Sequence, residues 1–186
     1  MRRLTVTQLP LSGLLRVERQ NLSDERGFLS RLFCADELLA HGWPGPVAQI
    51  NHTHTARKGT VRGLHYQQQP HAECKLVSCL RGEVWDVAVD LRVGSPTFLQ
   101  WHAAHLSGAN RCALLIPQGF AHGFQALTDD VDLVYCHSAA YAAGADAGLN
   151  ASDPRLAIPW PLPVSDRSAR DQTHPLLTPE FEGVRL

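Results

Sequence analysis

Two histidines of this chain sit in stretches whose residue types can move protons. His65 lies in Thr60-Val61-Arg62-Gly63-Leu64-His65-Tyr66, and His122 lies in Ile116-Pro117-Gln118-Gly119-Phe120-Ala121-His122-Gly123-Phe124. An imidazole changes charge close to neutral pH, so either can act as a base without a large perturbation. The same residues could instead be metal ligands, and His52-Thr53-His54 adds an H-x-H spacing. A metal set is incomplete, however. His65-Tyr66-Gln67 carries no second histidine, and His52-Thr53-His54 runs into the loop-like Thr55-Ala56-Arg57-Lys58-Gly59 with no glutamate after it. Proton transfer without a bound metal or other cofactor is the reading these residues favour.

The elements that must position them are short and numerous. Residues 1–13 read as an arm, and 14–19 alternate as a strand. A polar turn at 23–27 leads to a strand at 28–33. Residues 35–41 form the best short helix, closed by Gly42. After Pro44 and Pro46 the chain repeats strand and turn at 47–51, 60–66, 74–80, 83–90, 99–106, 111–116, 120–127 and 131–138. The clearest is Glu83–Asp90, where Trp85, Val87 and Val89 share one face and Asp86 and Asp90 the other. Such spacing predicts an all-β sandwich or jelly roll. Residues 142–186 are rich in Ala, Gly and Pro and read as a tail packed over the barrel, within a single domain spanning 1–186.

Composition narrows the function classes. The chain has 186 residues, 44% of them hydrophobic, which is enough for a core without staples. A net charge of −1 provides no field to attract nucleic acid or an anionic membrane surface. The start, Met1-Arg2-Arg3-Leu4-Thr5, lacks the apolar core of a signal peptide, and no segment is long and apolar enough to span a bilayer, so the cytoplasm is the expected compartment. Five cysteines, Cys34, Cys74, Cys79, Cys112 and Cys136, are odd in number and without C-x-x-C spacing, and they are expected to pack as small hydrophobes.

Pro117-Gln118-Gly119-Phe120-Ala121-His122 has the P-x-G-x-x-H form of the second cupin motif. A longer series is more specific: Arg62-Gly63-Leu64-His65-Tyr66-Gln67, Lys75-Leu76-Val77, Gly82-Glu83-Val84-Trp85-Asp86-Val87-Ala88-Val89-Asp90-Leu91-Arg92, Ser95-Pro96-Thr97 and Pro117 through Phe124, in that order. Together they resemble the dTDP-4-dehydrorhamnose 3,5-epimerase family from about residue 14 to 177. The resemblance implies a cupin-type double-stranded β-helix (jelly roll) without metal or cofactor, with short flanking helices. It also implies a homodimer that shares its nucleotide site, and a nucleotide-linked 4-keto-6-deoxyhexose as substrate.

Carbons beside a ketone lose protons because the carbanion delocalises as an enolate, and inversion needs a base on one face and an acid on the other. By resemblance His65 is the base and Asp171, in Ser168-Ala169-Arg170-Asp171, its partner. Tyr135 is the proton donor, and Tyr141 stacks on the thymine. Read alone, Asp171 is a solvated loop carboxylate and Tyr135 a core tyrosine. Lys75 and His122 are candidates to stabilise the enolate oxygen, or else satisfied interior polar groups. Arg62 suits pyrophosphate, unless it is an ordinary surface arginine. Gln49, Asn51, Arg26 and Phe28 match nucleotide-binding positions, and Arg170 retains a positive charge where lysine is frequent. Three departures stand out. Arg31 and Asp146 occupy positions where the family often has glutamate, and Ala151-Ser152-Asp153-Pro154 lacks a large aromatic anchor. The alternatives are an epimerase acting at carbon 3 or carbon 5 alone, a metal-dependent cupin oxygenase or isomerase using His52, His54, His65 and His122, and a sugar-binding cupin without chemistry.

Overall fold

In the computed structural model, which describes residues 3–186, the chain runs β1 (Leu4–Gln8), β2 (Leu15–Arg19), β3 (Asn21–Asp24), β4 (Gly27–Ser30), α1 (Ala35–Leu39), β5 (Gln49–Thr55), β6 (Val61–Gln67) and β7 (Lys75–Arg81). It continues through β8 (Glu83–Asp90), β9 (Trp101–Ser107), β10 (Cys112–Ile116), β11 (Phe120–Ala126), β12 (Val131–His137), β13 (Asp146–Gly148) and α2 (Ala169–Thr173). Two antiparallel sheets face one another. One has the order β1-β2-β10-β7-β12-β5 and the other β13-β6-β11-β8-β9. This is the expected all-β jelly roll of cupin type.

The space between the sheets is filled by Val77, Val84, Ala88, Leu114, Ile116, Phe124 and Leu133, all 2% exposed or less. β8 is buried on both faces. Val84 and Ala88 enter that core, while Val87 and Val89 point outward into a second cluster with Leu64, Leu149, Leu156 and Leu177. Residues after Tyr141 cover the outer face, so the sheet is buried on both sides as parallel sheets usually are. Trp85 anchors the cover, meeting Trp101 and Trp160 edge-on with centroids 5.8 and 5.5 Å away. Trp160 donates from its indole to Ala151 O at 2.8 Å, so an aromatic from later in the tail stands beside the segment that lacks one.

Several elements differ from their sequence reading. The arm at 1–13 contributes β1, the edge strand paired with β2 from Leu4↔Arg19 to Gln8↔Leu15. Only Leu4 of β1 is buried, so no alternation marks it. Met1 and Arg2 lie outside the described residues. The expected strand at 28–33 stops at Ser30 and pairs only with β3, forming a two-stranded hairpin separate from both main sheets. β13 is three residues long and is held by pairing with β6, which no local pattern announces. Among the described residues no helix is long and apolar enough to cross a membrane. The five cysteines are unbridged.

Candidate active site

β6 and β11 are neighbours in the five-stranded sheet, and their register sets His65 opposite His122. Residues directly opposite on an antiparallel pair project to the same face, here the interior. The strands approach closely because both carry glycine. A Cβ at Gly63 would lie 2.6 Å from Gly123 Cα and 2.7 Å from His122 O, and its φ of +118° suits no other residue. Gly63→Ala is therefore expected to destabilise the fold by about 3 kcal/mol or more, from backbone strain plus overpacking. Denaturant titration checks this; a loss below about 1 kcal/mol would refute the close-approach argument.

His65 Nε2 and Asp171 Oδ1 are 2.8 Å apart. α2 folds back so that Asp171 is only 3% exposed. Ser168 caps this short helix, its hydroxyl accepting from Asp171 N at 3.0 Å. The second carboxylate oxygen accepts the Gly63 N–H at 3.1 Å. Burial alone would raise the Asp171 pKa. The His65 hydrogen bond and charge, then the Gly63 N–H and the Ser168 hydroxyl, hold it instead at about 2. Asp171 is thus anionic at every working pH and fixes the His65 tautomer. The other ring nitrogen, Nδ1, makes no hydrogen bond among the described residues and is free to take a proton.

A cavity of about 240 Å³ opens in front of His65. Tyr135 reaches it from β12 in the opposite sheet, with 9% of its surface exposed. Burial pushes the phenol well above its ordinary pKa, so it remains protonated and able to donate. Its ring meets His122 edge-on at 5.8 Å. His122 Nε2 lies 3.0 and 2.9 Å from the two oxygens of the fully buried Asp86. Asp86 is pushed up by burial and pulled back by His122 and then Lys75. Lys75 Nζ also borders the cavity, donating to His65 O at 3.1 Å and pairing with Glu73 at 3.0 Å.

At the mouth the side chains are more exposed. Tyr141, 57% exposed, donates its hydroxyl to Asp146 Oδ2 at 3.0 Å, and Arg170 pairs with the same carboxylate. Gln49 Oε1 accepts Tyr141 N at 2.9 Å, and its amide donates to Asn51 Oδ1 at 3.0 Å. Arg62, an exposed side chain on β6, makes only long contacts, 3.4 Å each, to His54 O and Thr55 Oγ1. All six border the cavity.

Three sequence candidates are not brought to this cavity. Arg26 and Phe28 sit on the β3–β4 hairpin. Arg26 is paired with Asp24 and 90% exposed in its side chain, and Phe28 is 69% exposed. Arg31 turns to Glu37, at the other end of the six-stranded sheet, where the same carboxylate accepts Arg3 N and Leu4 N. The resemblance implies a nucleotide site shared between subunits; within one chain the hairpin pairs with neither main sheet, and none of these three side chains borders the cavity. His137, by contrast, was missed. It stacks on Tyr135 at 6.1 Å because residues two apart on β12 share a face. Burial first, then the charges of Lys75 and His122, lower it to about 4, so it is neutral.

Among the described residues His52, His54, His65 and His122 do not gather into one ligand set. His52 and His54 project from the outer face of β5 to Asp132, at 3.0 and 3.1 Å. His65, Asp171 and His174 do gather one donor atom each within 4.8 Å. Two donors tetrahedrally placed about a zinc ion stand about 3.3 Å apart; the His65–Asp171 separation of 2.8 Å is that of a shared proton.

Comparison with known proteins supplies the family. The family model described as dTDP-4-dehydrorhamnose 3,5-epimerase matches residues 8–179. A dTDP-4-dehydrorhamnose 3,5-epimerase of Sinorhizobium fredii is 39% identical over 91% of this chain and 87% of its own. A Streptomyces niveus protein described as dTDP-4-dehydrorhamnose 3-epimerase is 38% identical over 91% and 82%. The crystal structure of a Legionella pneumophila dTDP-6-deoxy-D-glucose-3,5-epimerase in complex with dTDP-4-keto-L-rhamnose superposes with a TM-score of 0.88. It is 39% identical and covers 93% of this chain and 92% of that one. With likeness of that extent in both sequence and structure, the chain belongs to the dTDP-4-dehydrorhamnose 3,5-epimerase family of isomerases.

Proposed function

We propose that this protein inverts both carbons flanking the ketone of dTDP-4-dehydro-6-deoxy-D-glucose, on the route to dTDP-L-rhamnose. The observation that carries this reading is the placement of an imidazole and a phenol in one cavity, from opposite sheets. His65 Nδ1 takes the proton from the carbon beside the ketone, and anionic Asp171 stabilises the imidazolium that results. The electrons move to the ketone oxygen as an enolate, which Lys75 and His122 are placed to stabilise. Tyr135 then delivers a proton to the opposite face, and the same pair acts at the second carbon. Arg62 and Arg170 meet the pyrophosphate, while Tyr141, Gln49 and Asn51 hold the nucleoside. The Streptomyces niveus relative's description keeps inversion at carbon 3 alone as the second reading. Incubation in heavy water, with deuterium followed by NMR, tests both. Wash-in at carbons 3 and 5 supports the proposal, wash-in at one supports the second reading, and wash-in at neither overturns both.

The same reading takes the protein as a cytoplasmic homodimer, with each chain one domain. Phe28 and Leu29, both 69% exposed, stand on a hairpin with no cover, and Ile50 on the edge strand β5 is 64% exposed. Covering each such side chain is worth about 1.5–3 kcal/mol. The hairpin would then carry Arg26 and Phe28 to the nucleotide in the other chain. Phe28→Ala is expected to raise KM about tenfold, equivalent to about 1.4 kcal/mol, with kcat changed less. Steady-state kinetics at fixed dimer concentration measures it, and an unchanged KM would remove Phe28 from the site.

A further inference from the structure

His174 touches the catalytic pair, and none of the chemistry above uses it. It follows α2, three residues after Asp171, and its ring lies edge-on to His65 with centroids 5.5 Å apart. Its Nε2 is buried without a hydrogen-bond partner and stands 3.8 Å from Asp171 Oδ1, the atom that already holds His65. The slot it occupies exists because residue 148 is glycine. Gly148 is the β13 partner of His65, and a Cβ there would run into the His174 ring. Gly148 has no positive φ, so its lack of a side chain serves this contact rather than the backbone.

Resting on the epimerase reading, we infer that His174 is a positioning residue for His65: neutral, it wedges the imidazole onto Asp171, and charged, it takes Asp171 Oδ1 and disables the base. The charged and titratable groups facing His174 are His65 on β6, Asp171 and Arg170 on α2, and Asp146 on β13. Burial and then His65 lower its pKa, while Asp171 and Asp146 oppose them, so the neutral form is the resting one. A positive charge on His174 disfavours a second one on His65, and the proton from the sugar then has nowhere to go. Activity therefore requires two imidazoles to be unprotonated, one that accepts the proton and one that does not touch the substrate.

The test is the rate of solvent-deuterium exchange into substrate, as kcat and KM, from about pH 5 to 9 in four proteins. For the parent, the two imidazoles first compete for one proton, so the acid limb begins at a slope of about one and steepens towards about two only at the acid end of the range, where both become charged; for His174→Phe, which keeps the wedge and loses the charge, it stays at about one throughout. His174→Ala and Gly148→Ala empty or displace the wedge and are expected to lower kcat roughly 10- to 100-fold with little change in KM. Thermal melts accompany each variant, and two changes on opposite sides of one contact separate positioning from folding. Superimposable profiles for the parent and His174→Phe, with kcat of His174→Ala within about twofold of the parent, would overturn this inference alone. No exchange by the parent would overturn the epimerase reading and this inference with it.

Discussion

Replacing His65 by asparagine is expected to abolish deuterium wash-in at both carbons beside the ketone, with kcat lower by roughly 10³- to 10⁴-fold. An amide cannot accept a proton at neutral pH, and His174, the imidazole beside it, does not border the cavity. His122 is held by Asp86, and His137 is pushed down to about 4 by burial and nearby positive charge, which makes it a poor proton acceptor. Both carbons should fail together, since one imidazole serves both. Affinity for thymidine diphosphate should stay within about twofold, because the nucleoside and phosphate contacts assigned to the mouth are intact. NMR exchange and calorimetry read the two effects separately. Exchange persisting at either carbon near the parent rate would mean that another group is the base.

Tyr135→Phe is expected to separate exchange from inversion. The enolate still forms, so deuterium enters from the His65 side with retention, while the inverted product falls by roughly 10²- to 10³-fold. The phenol is suited to donation because its burial disfavours the phenolate; once the proton has left, that same burial drives rapid reprotonation. Phenylalanine keeps the ring against His122 and His137, so the pocket's shape survives. Chiral analysis of the recovered sugar, beside the isotope content, gives the answer. Loss of exchange together with inversion would place Tyr135 on the enolate oxygen or on the base side, and would reverse the assignment of acid and base.

These expectations draw unequally on sequence and structure. The strand Glu83–Asp90 was legible to the residue, because alternation and the Gly82 turn are local properties. The P-x-G-x-x-H stretch announced a turn followed by an inward histidine, and β11 begins at Phe120 accordingly. β1 and β13 were not legible, since each is a strand only by virtue of the neighbour that supplies its hydrogen bonds. Arg26, Phe28 and Arg31 were placed at the nucleotide by resemblance; within one chain the hairpin holds the first two away from the cavity, and Arg31 pairs with Glu37. His137 and His174 passed unnoticed because their importance lies in what they touch.

Sequence by itself determined which chemical groups this protein owns and which strands present them inward, since a period of two and a glycine turn act over a few residues. Tertiary structure alone decided that Asp171 meets His65 across 106 residues, that Tyr135 faces them from the second sheet, and that His174 fills the gap left by Gly148. Those meetings depend on how two sheets and a returning tail bury their apolar faces together. That is a property of the whole packed chain, with no counterpart in any local stretch of it.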